Sequence, residues 1–178
     1  LLDQLTNNTT DIVIMGKPPQ EMDFEVQAFM ENPLVVIAPP DHPLAQQQGT
    51  IPLKRLQSET FVVREMQSGT RIAMERFFST RGMHLRTAIE TTSNSAIKHA
   101  VEAGLGLGIV SIHTLELEIE AGRLCVLDVE DFPILRHWHV VHCQGKRLPP
   151  IANAFLEFLT GSEGRYLLNR GSRKNPLG

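Results

Sequence analysis

Two short stretches concentrate the side chains able to hold a small polar molecule. Thr91, Thr92, Ser93, Asn94 and Ser95 place five hydroxyl or amide groups between a strand-like run and a helical pattern. A helix start carries unpaired backbone N–H groups and a partial positive charge, so it draws carboxylates and phosphates. One capping side chain satisfies such a start, and five polar residues exceed that need. Gln67-Ser68-Gly69-Thr70-Arg71 repeats the arrangement one strand earlier. There Ser68 and Thr70 can cap, Gly69 lets a backbone approach closely, and Arg71 brings a fixed charge on a forked donor suited to oxyanions. Ligands of open α/β sheets settle beside the carboxyl ends of strands, so two polar helix starts on neighbouring units should converge on one mouth. The chemistry expected is recognition of an anion or a small polar metabolite, held mainly by N–H and hydroxyl donors. The alternative at each stretch is a helix that is merely capped, with Arg71 solvated.

Other chemistry is excluded or weak. Gly104, Gly106 and Gly108 follow a helical pattern and precede a strand, the reverse of a dinucleotide loop, and their spacing misses its template. They are read as punctuation: Gly104 ends the helix in the left-handed region, and the other two let the next strand lie close against it. His137 and His139 share one face of a strand and His142 the other, with no third metal ligand evident. Cys143 beside His142 does not make a nucleophile–base pair, because neighbouring strand residues point to opposite faces. Glu116, Glu118 and Glu120 are read as a solvated helix face. No nucleophile elbow, zinc-protease or P-loop motif occurs, so no catalytic residue, metal or cofactor is expected and the chain is not read as an enzyme.

The bulk numbers agree with a binding domain. The chain has 178 residues, 42% hydrophobic and 21% charged, with a formal net charge of −3. It suits one ordinary domain or two small lobes, and no apolar run is long enough for a membrane span. A net-negative chain lacks the basic stripe of a nucleic-acid grip. Its basic cluster, Arg165, Arg170, Arg173 and Lys174, lies among Gly, Ser, Asn and Pro and is expected in a flexible tail over 161–178. Two cysteines, Cys125 and Cys143, are too few for a disulfide framework and fit cytoplasmic thiols. The N-terminus has neither a signal-peptide pattern nor an initiator methionine, as expected of a fragment.

The elements that must position these residues alternate. Leu1–Leu5 reads as a helix end, and 11–16 as a strand buried on both faces, as in a parallel sheet. Residues 24–30 and 33–40 read as two strands around a turn at 31–33, and the Pro- and Gly-rich 38–52 as a hinge or exposed connection. A short helix should follow, capped by Thr50 or started by Pro52. Strands are expected over 61–65, 86–91, 107–111, 123–129 and 134–143. Helices are expected over 71–82, with Ile72, Ala73, Phe77 and Phe78 on one face, over 95–103, 114–122, and 149–161, with Ile151, Phe155 and Leu159 on one face. Strands and helices joined by short connections argue for a parallel α/β sheet with right-handed crossovers.

In order along the chain, "DIVIMGKPP", "VVIAPPDHPLA", "FVVREMQSGTR", "TTSNSAIKHAVEAGLGLGIVS", "AGRLCVLDV" and "PPIANAFLEFL" resemble the effector-binding region of LysR-type transcriptional regulators. "IMGKPP", "REMQSGTR" and "HWHVVHCQGKRLPP" are most similar to the subgroup controlling carbon-fixation (Calvin-cycle, RuBisCO) operons. The resemblance implies an α/β fold of two Rossmann-like lobes joined by crossover strands, as in type 2 periplasmic binding proteins, with a metabolite in the cleft. Lobe I would be 1–37 plus 134–160, incomplete at its N-terminus, and lobe II 38–133. Ligand contacts would come from Gly16, Gln67, Ser68, Thr70, Arg71, Thr92, Ser93, Asn94, Val110 and Ser111. For this subgroup the effector would be a phosphorylated sugar, phosphoenolpyruvate or a reduced nicotinamide nucleotide. The resemblance also implies a homo-oligomer, dimer or tetramer, that reaches DNA only through a helix-turn-helix domain preceding Leu1, with RNA polymerase a possible partner and no membrane contact. The alternative is a periplasmic-type solute-binding protein that only captures ligand for transport.

Overall fold

The computed structural model describes residues 1–19, 23–164 and 166. The basic residues Arg165, Arg170, Arg173 and Lys174 of the expected tail lie outside the described residues, whereas 162–164 form a helical turn. The described residues divide into two compact units, one made of Leu1–Asn32 with the described residues from Arg136, the other of Pro33–Leu135.

In the first unit, helix α1 (Leu2–Thr6) precedes strands β1 (Val13–Met15) and β2 (Phe24–Glu31). Strand β8 (His137–Cys143) lies between them in a three-stranded sheet ordered β1-β8-β2, and helix α5 (Pro150–Thr160) follows it. Both pairings are antiparallel, with Val13 and Val26 opposite Val141. Leu5, Val13 and Val141 form a small core. The doubly buried parallel strand expected at 11–16 is therefore a short antiparallel edge strand, and Ile14 is 40% exposed. An unbroken apolar run carries no information about strand direction or about which neighbours are present. The apolar face expected on the last helix is also corrected: Leu159 is buried, but Ile151 and Phe155 are exposed.

The second unit holds a five-stranded sheet ordered β5-β4-β6-β3-β7. Its strands are β3 (Leu34–Ala38), β4 (Thr60–Arg64), β5 (Arg86–Thr91), β6 (Leu107–Ser111) and β7 (Cys125–Val126). Strands β5, β4 and β6 run parallel, whereas β3 and β7 are antiparallel to their neighbours. The all-parallel expectation thus holds for the half that carries the strand–helix units and fails for β3 and β7. Strands β2 and β3, read as neighbours around a turn, belong to different sheets. The strand expected over 123–129 shrinks to Cys125–Val126.

Helices α2 (Gly69–Ser79) and α3 (Asn94–Glu102) connect the parallel strands, and α4 (Glu116–Glu120) follows β6. Core side chains divide between the two faces: Val36, Phe61, Val63, Met74, Phe78 and Ile109 on one, Val35, Val62, Ile97, Val101 and Val110 on the other. Burying a side chain of this size contributes roughly 1.5–3 kcal/mol. On α2 the expected face is largely kept, with Phe78 buried and Ala73 and Phe77 packed against the core, but Ile72 is exposed and Met74 is buried instead. Of the two readings of the proline-rich 38–52, the exposed connection fits 40, 41, 43 and 46–50, with Ala38, Leu44 and Ile51 anchoring it in the core. Pro52 stands at the N-cap of the 3-10 helix Leu53–Ser58, as expected of the second alternative, and no side chain of the N-cap bonds the helix. Its first N–H is met from afar, Leu53 N donating to Glu130 Oε2 at 3.1 Å, while Thr50 bonds Asp128 instead.

Of the glycines after α3, Gly104 and Gly108 behave as read, whereas Gly106 is required by the β4 backbone and not by the helix, since a Cβ there would stand 2.7 Å from the Thr60 carbonyl oxygen. Gly104 has φ +73 and its N–H donates to the Val101 carbonyl. A Cβ on Gly108 would stand 2.8 Å from Ile97 Cγ2 and 3.0 Å from Val101 Cγ2, so only glycine lets β6 lie this close to α3.

Candidate functional site at the strand ends of the second unit

Because β4 and β5 are parallel, with Arg64 opposite Thr91, their carboxyl ends open at one edge of the sheet. Both connections start helices by the same device. Ser68 Oγ accepts from Thr70 N at 3.2 Å to cap α2, and Ser93 Oγ accepts from Ala96 N at 3.0 Å to cap α3. Ser68 and Thr70 are buried, whereas Gln67, Thr92 and Ser93 are exposed. Among the hydroxyls, those near α3 are the ones turned to solvent.

A residue that sequence reasoning passed over joins the two connections. Arg64, the last residue of β4, donates through Nη1 to Asn94 Oδ1 at 3.0 Å. Its Nε and Nη2 donate to the two oxygens of Glu65 at 2.8 and 2.9 Å. This is the side-on, two-point geometry that suits carboxylate and phosphate alike. The Arg64 hydrogen bond holds the Glu65 carboxyl below its ordinary range. The signal was available in "FVVRE": a charged residue closing an apolar strand must emerge at the sheet's carboxyl edge.

Arg71 is placed differently from the expectation. Its Nε donates to Glu75, one turn along α2, and its Nη1 reaches the Arg64 carbonyl at 3.3 Å and lies 3.9 Å from Glu90 Oε2. It lines a groove of about 510 Å³ between α2 and the 83–87 segment, with Glu75, Met83, Leu85 and Thr87; Asn94 is not part of that groove. Arg71 and Asn94 are thus linked through Arg64 without sharing this hollow. The two guanidiniums stand against three carboxylates, Glu65, Glu75 and Glu90, so the strand end is not the surplus of positive charge that the sequence suggested.

The remaining candidates separate. Val110 is fully buried, paired with Val35, and packs in the core, leaving only its backbone for any ligand. Ser111 is buried beside it at the same sheet edge, its carbonyl accepting from Thr114 Oγ1 at 2.8 Å. Gly16 follows β1 in the first unit, and a Cβ there would meet nothing within 4 Å.

Two further expectations concern charged and metal-binding groups. Glu118 is not on a solvated face: it is buried, and its Oε1 accepts from Lys98 Nζ at 2.7 Å. Lys98 also donates to the Thr114 carbonyl at 2.8 Å. Burial pushes the Glu118 carboxyl up, and the Lys98 hydrogen bond and charge more than offset it, so the group stays below its ordinary range. His137 and His139 have ring centroids 6.4 Å apart, and burial lowers the His139 pKa. Among the described residues no cluster of three or more His, Cys, Asp or Glu could hold a metal ion. Cys143 Sγ contacts the Leu5 carbonyl, while His142 turns to its neighbour's carbonyl and to Glu25. No described helix is long and apolar enough to cross a membrane.

The chain belongs to the LysR substrate binding domain family, whose pattern matches residues 1–163. It is 55% identical over 93% of its length to the RuBisCO operon transcriptional regulator of Allochromatium vinosum, covering 54% of that protein. It is 45% identical over 89% of its length to the HTH-type transcriptional activator CmpR of Synechocystis, covering 52% of that protein. The chain therefore spans about half the length of these curated relatives. Among solved structures, the Synechocystis CcmR regulatory domain in complex with 2-PG is 42% identical, with a TM-score of 0.83 over 89% of this chain and 76% of that one. The QuiR effector-binding domain, 19% identical with a TM-score of 0.78, shares the fold. The periplasmic-binding-protein-like α/β fold is that of LysR regulatory domains, and relatives that regulate transcription do not favour the solute-carrier alternative.

Proposed function

We propose that this chain senses a small anionic metabolite for a LysR-type regulator of carbon-fixation genes, and that it does so without catalysis. The observation that carries the reading is the relative solved with 2-PG, which shares 42% of its sequence with this chain. The effector would meet the β4 and β5 ends, with Arg64 supplying charge, Asn94 and Ser93 orienting it, and the α3 N-terminus adding N–H donors. Thr92, Gln67 and the backbone near Ser111 would complete the contact within the second unit, and Gly16, at the end of β1, is a separate candidate in the first unit. Thr70 would act behind them, as part of the buried cap. DNA would be reached through a domain outside these residues, in a cytoplasmic homo-oligomer, with RNA polymerase as a downstream partner. For an effector to switch such an assembly it must bind one arrangement better than the other, typically by about 1–3 kcal/mol.

A thermal-shift and calorimetric screen of anionic metabolites against the full-length regulator tests this, because a ligand specific to the native state raises its melting temperature. Saturable binding of 2-PG or another small phosphate ester, weakened about tenfold or more by Arg64→Gln, is expected for the loss of a charged two-point contact. Binding indifferent to both Arg64→Gln and Asn94→Ala would move the site elsewhere.

A further inference from the structure

An effector anion arriving at Arg64 finds the guanidinium already neutralised. Glu65 takes its Nε and Nη2 hydrogens, and Asn94 takes one from Nη1. Arg71 offers no ready substitute, being held by Glu75 and facing Glu90. Three carboxylates at the strand end would repel a dianion unless one of them leaves.

The geometry points to Glu65 as an exchangeable counterion: its carboxylate occupies the Arg64 fork in the unliganded chain and is displaced by a phosphate or carboxylate of the effector. Three features single out this carboxylate. Strand β4 ends at Arg64, so Glu65 is the first residue of the turn and its side chain folds back onto its neighbour, which strand alternation would forbid. Its backbone is fixed on both sides, N donating to the Thr91 carbonyl at 3.0 Å and O accepting from Ser68 N at 2.9 Å, so displacement needs only side-chain rotation. Its side chain is 32% exposed against 19% for Arg64, so the carboxylate can turn into water while the guanidinium stays in place. Asn94 is untouched by the exchange and keeps Arg64 aimed. Effector affinity is then a competition between two anions for one fork, and the internal anion sets the concentration at which the sensor responds.

The inference rests on the site reading above, and calorimetric titration of 2-PG into the wild-type chain, Glu65→Gln and Arg64→Gln separates the two. Removing the competitor should tighten binding by up to about fivefold, the range of a partly exposed ion pair, while Arg64→Gln weakens it. Unchanged or weaker binding in Glu65→Gln, with loss in Arg64→Gln, overturns the counterion and leaves the site standing. Unchanged binding in both variants, or no saturable binding of 2-PG or inorganic phosphate to the wild type, removes both. A measurement without substitution guards against a folding defect: the carboxyl carbon resonance of Glu65 should titrate at a higher pH when 2-PG is present. A Glu65 midpoint that ignores saturating 2-PG also overturns the exchange.

Discussion

Two ion pairs in the second unit have almost the same length and opposite surroundings. Arg64–Glu65 measures 2.8 Å with side chains 19% and 32% exposed, and Lys98–Glu118 measures 2.7 Å with 13% and 9%. The first joins adjacent residues at a sheet edge, and the second ties α3 to α4 beneath the surface. Distance alone does not distinguish them. Solvent does: a carboxylate that can rotate into water is exchangeable, whereas one enclosed by protein has nowhere to go and its partner nothing to replace it. The first pair is suited to signalling and the second to holding α4 against α3.

Breaking the enclosed pair should have the largest effect. Glu118→Leu leaves Lys98 with only the Thr114 carbonyl and should cost roughly 3 kcal/mol in urea unfolding, most of it recovered in the Lys98→Met/Glu118→Leu double variant. Equal stability of Glu118→Leu and wild type would erase the contrast. The same pair predicts a pH dependence with a definite sign. Glu118 titrates below the ordinary range of a glutamate carboxyl in the folded chain, so its contribution is fully present above the unfolded pKa and is lost as pH falls through the folded pKa. Stability curves of wild type and Glu118→Gln should converge as the pH is lowered through the depressed folded pKa of Glu118. A smaller effect is expected from α3's other charged contact: Arg123→Ala, at a 3.8 Å and half-exposed pair with Glu102, should change stability by less than about 1 kcal/mol. Smallest of all, Glu65→Gln should leave the melting temperature within a few degrees of wild type, because its pair is open to water, while altering ligand affinity. A large loss of stability there would make Glu65 a structural group like Glu118.

Local patterns made much of this legible. The order of elements, the helix start at Ser93, the stop at Gly104 and the close approach at Gly108 depend on backbone rules that act over a few residues. The polar stretches at 67–71 and 91–95 were correctly placed on helix starts for the same reason, since a cap bonds N–H groups two or three residues away. Misplaced elements share the opposite property. Whether β3 and β7 run with or against their neighbours, and whether Ile14 or Ile72 meets a partner, depends on residues far along the chain.

The candidate site shows the same boundary. Sequence by itself determined the donors gathered near two helix starts, because short spacing specifies a cap, and the resemblance of its motifs determined the family and with it the class of fold. Only the tertiary structure decided that Arg64 bridges to Asn94 thirty residues away, that Arg71 turns to Glu75 and Glu90, and that Glu118 is buried against Lys98. Charge pairing is settled by which side chains the packed strands and helices bring within reach and how much water they leave between them, and no local pattern encodes that.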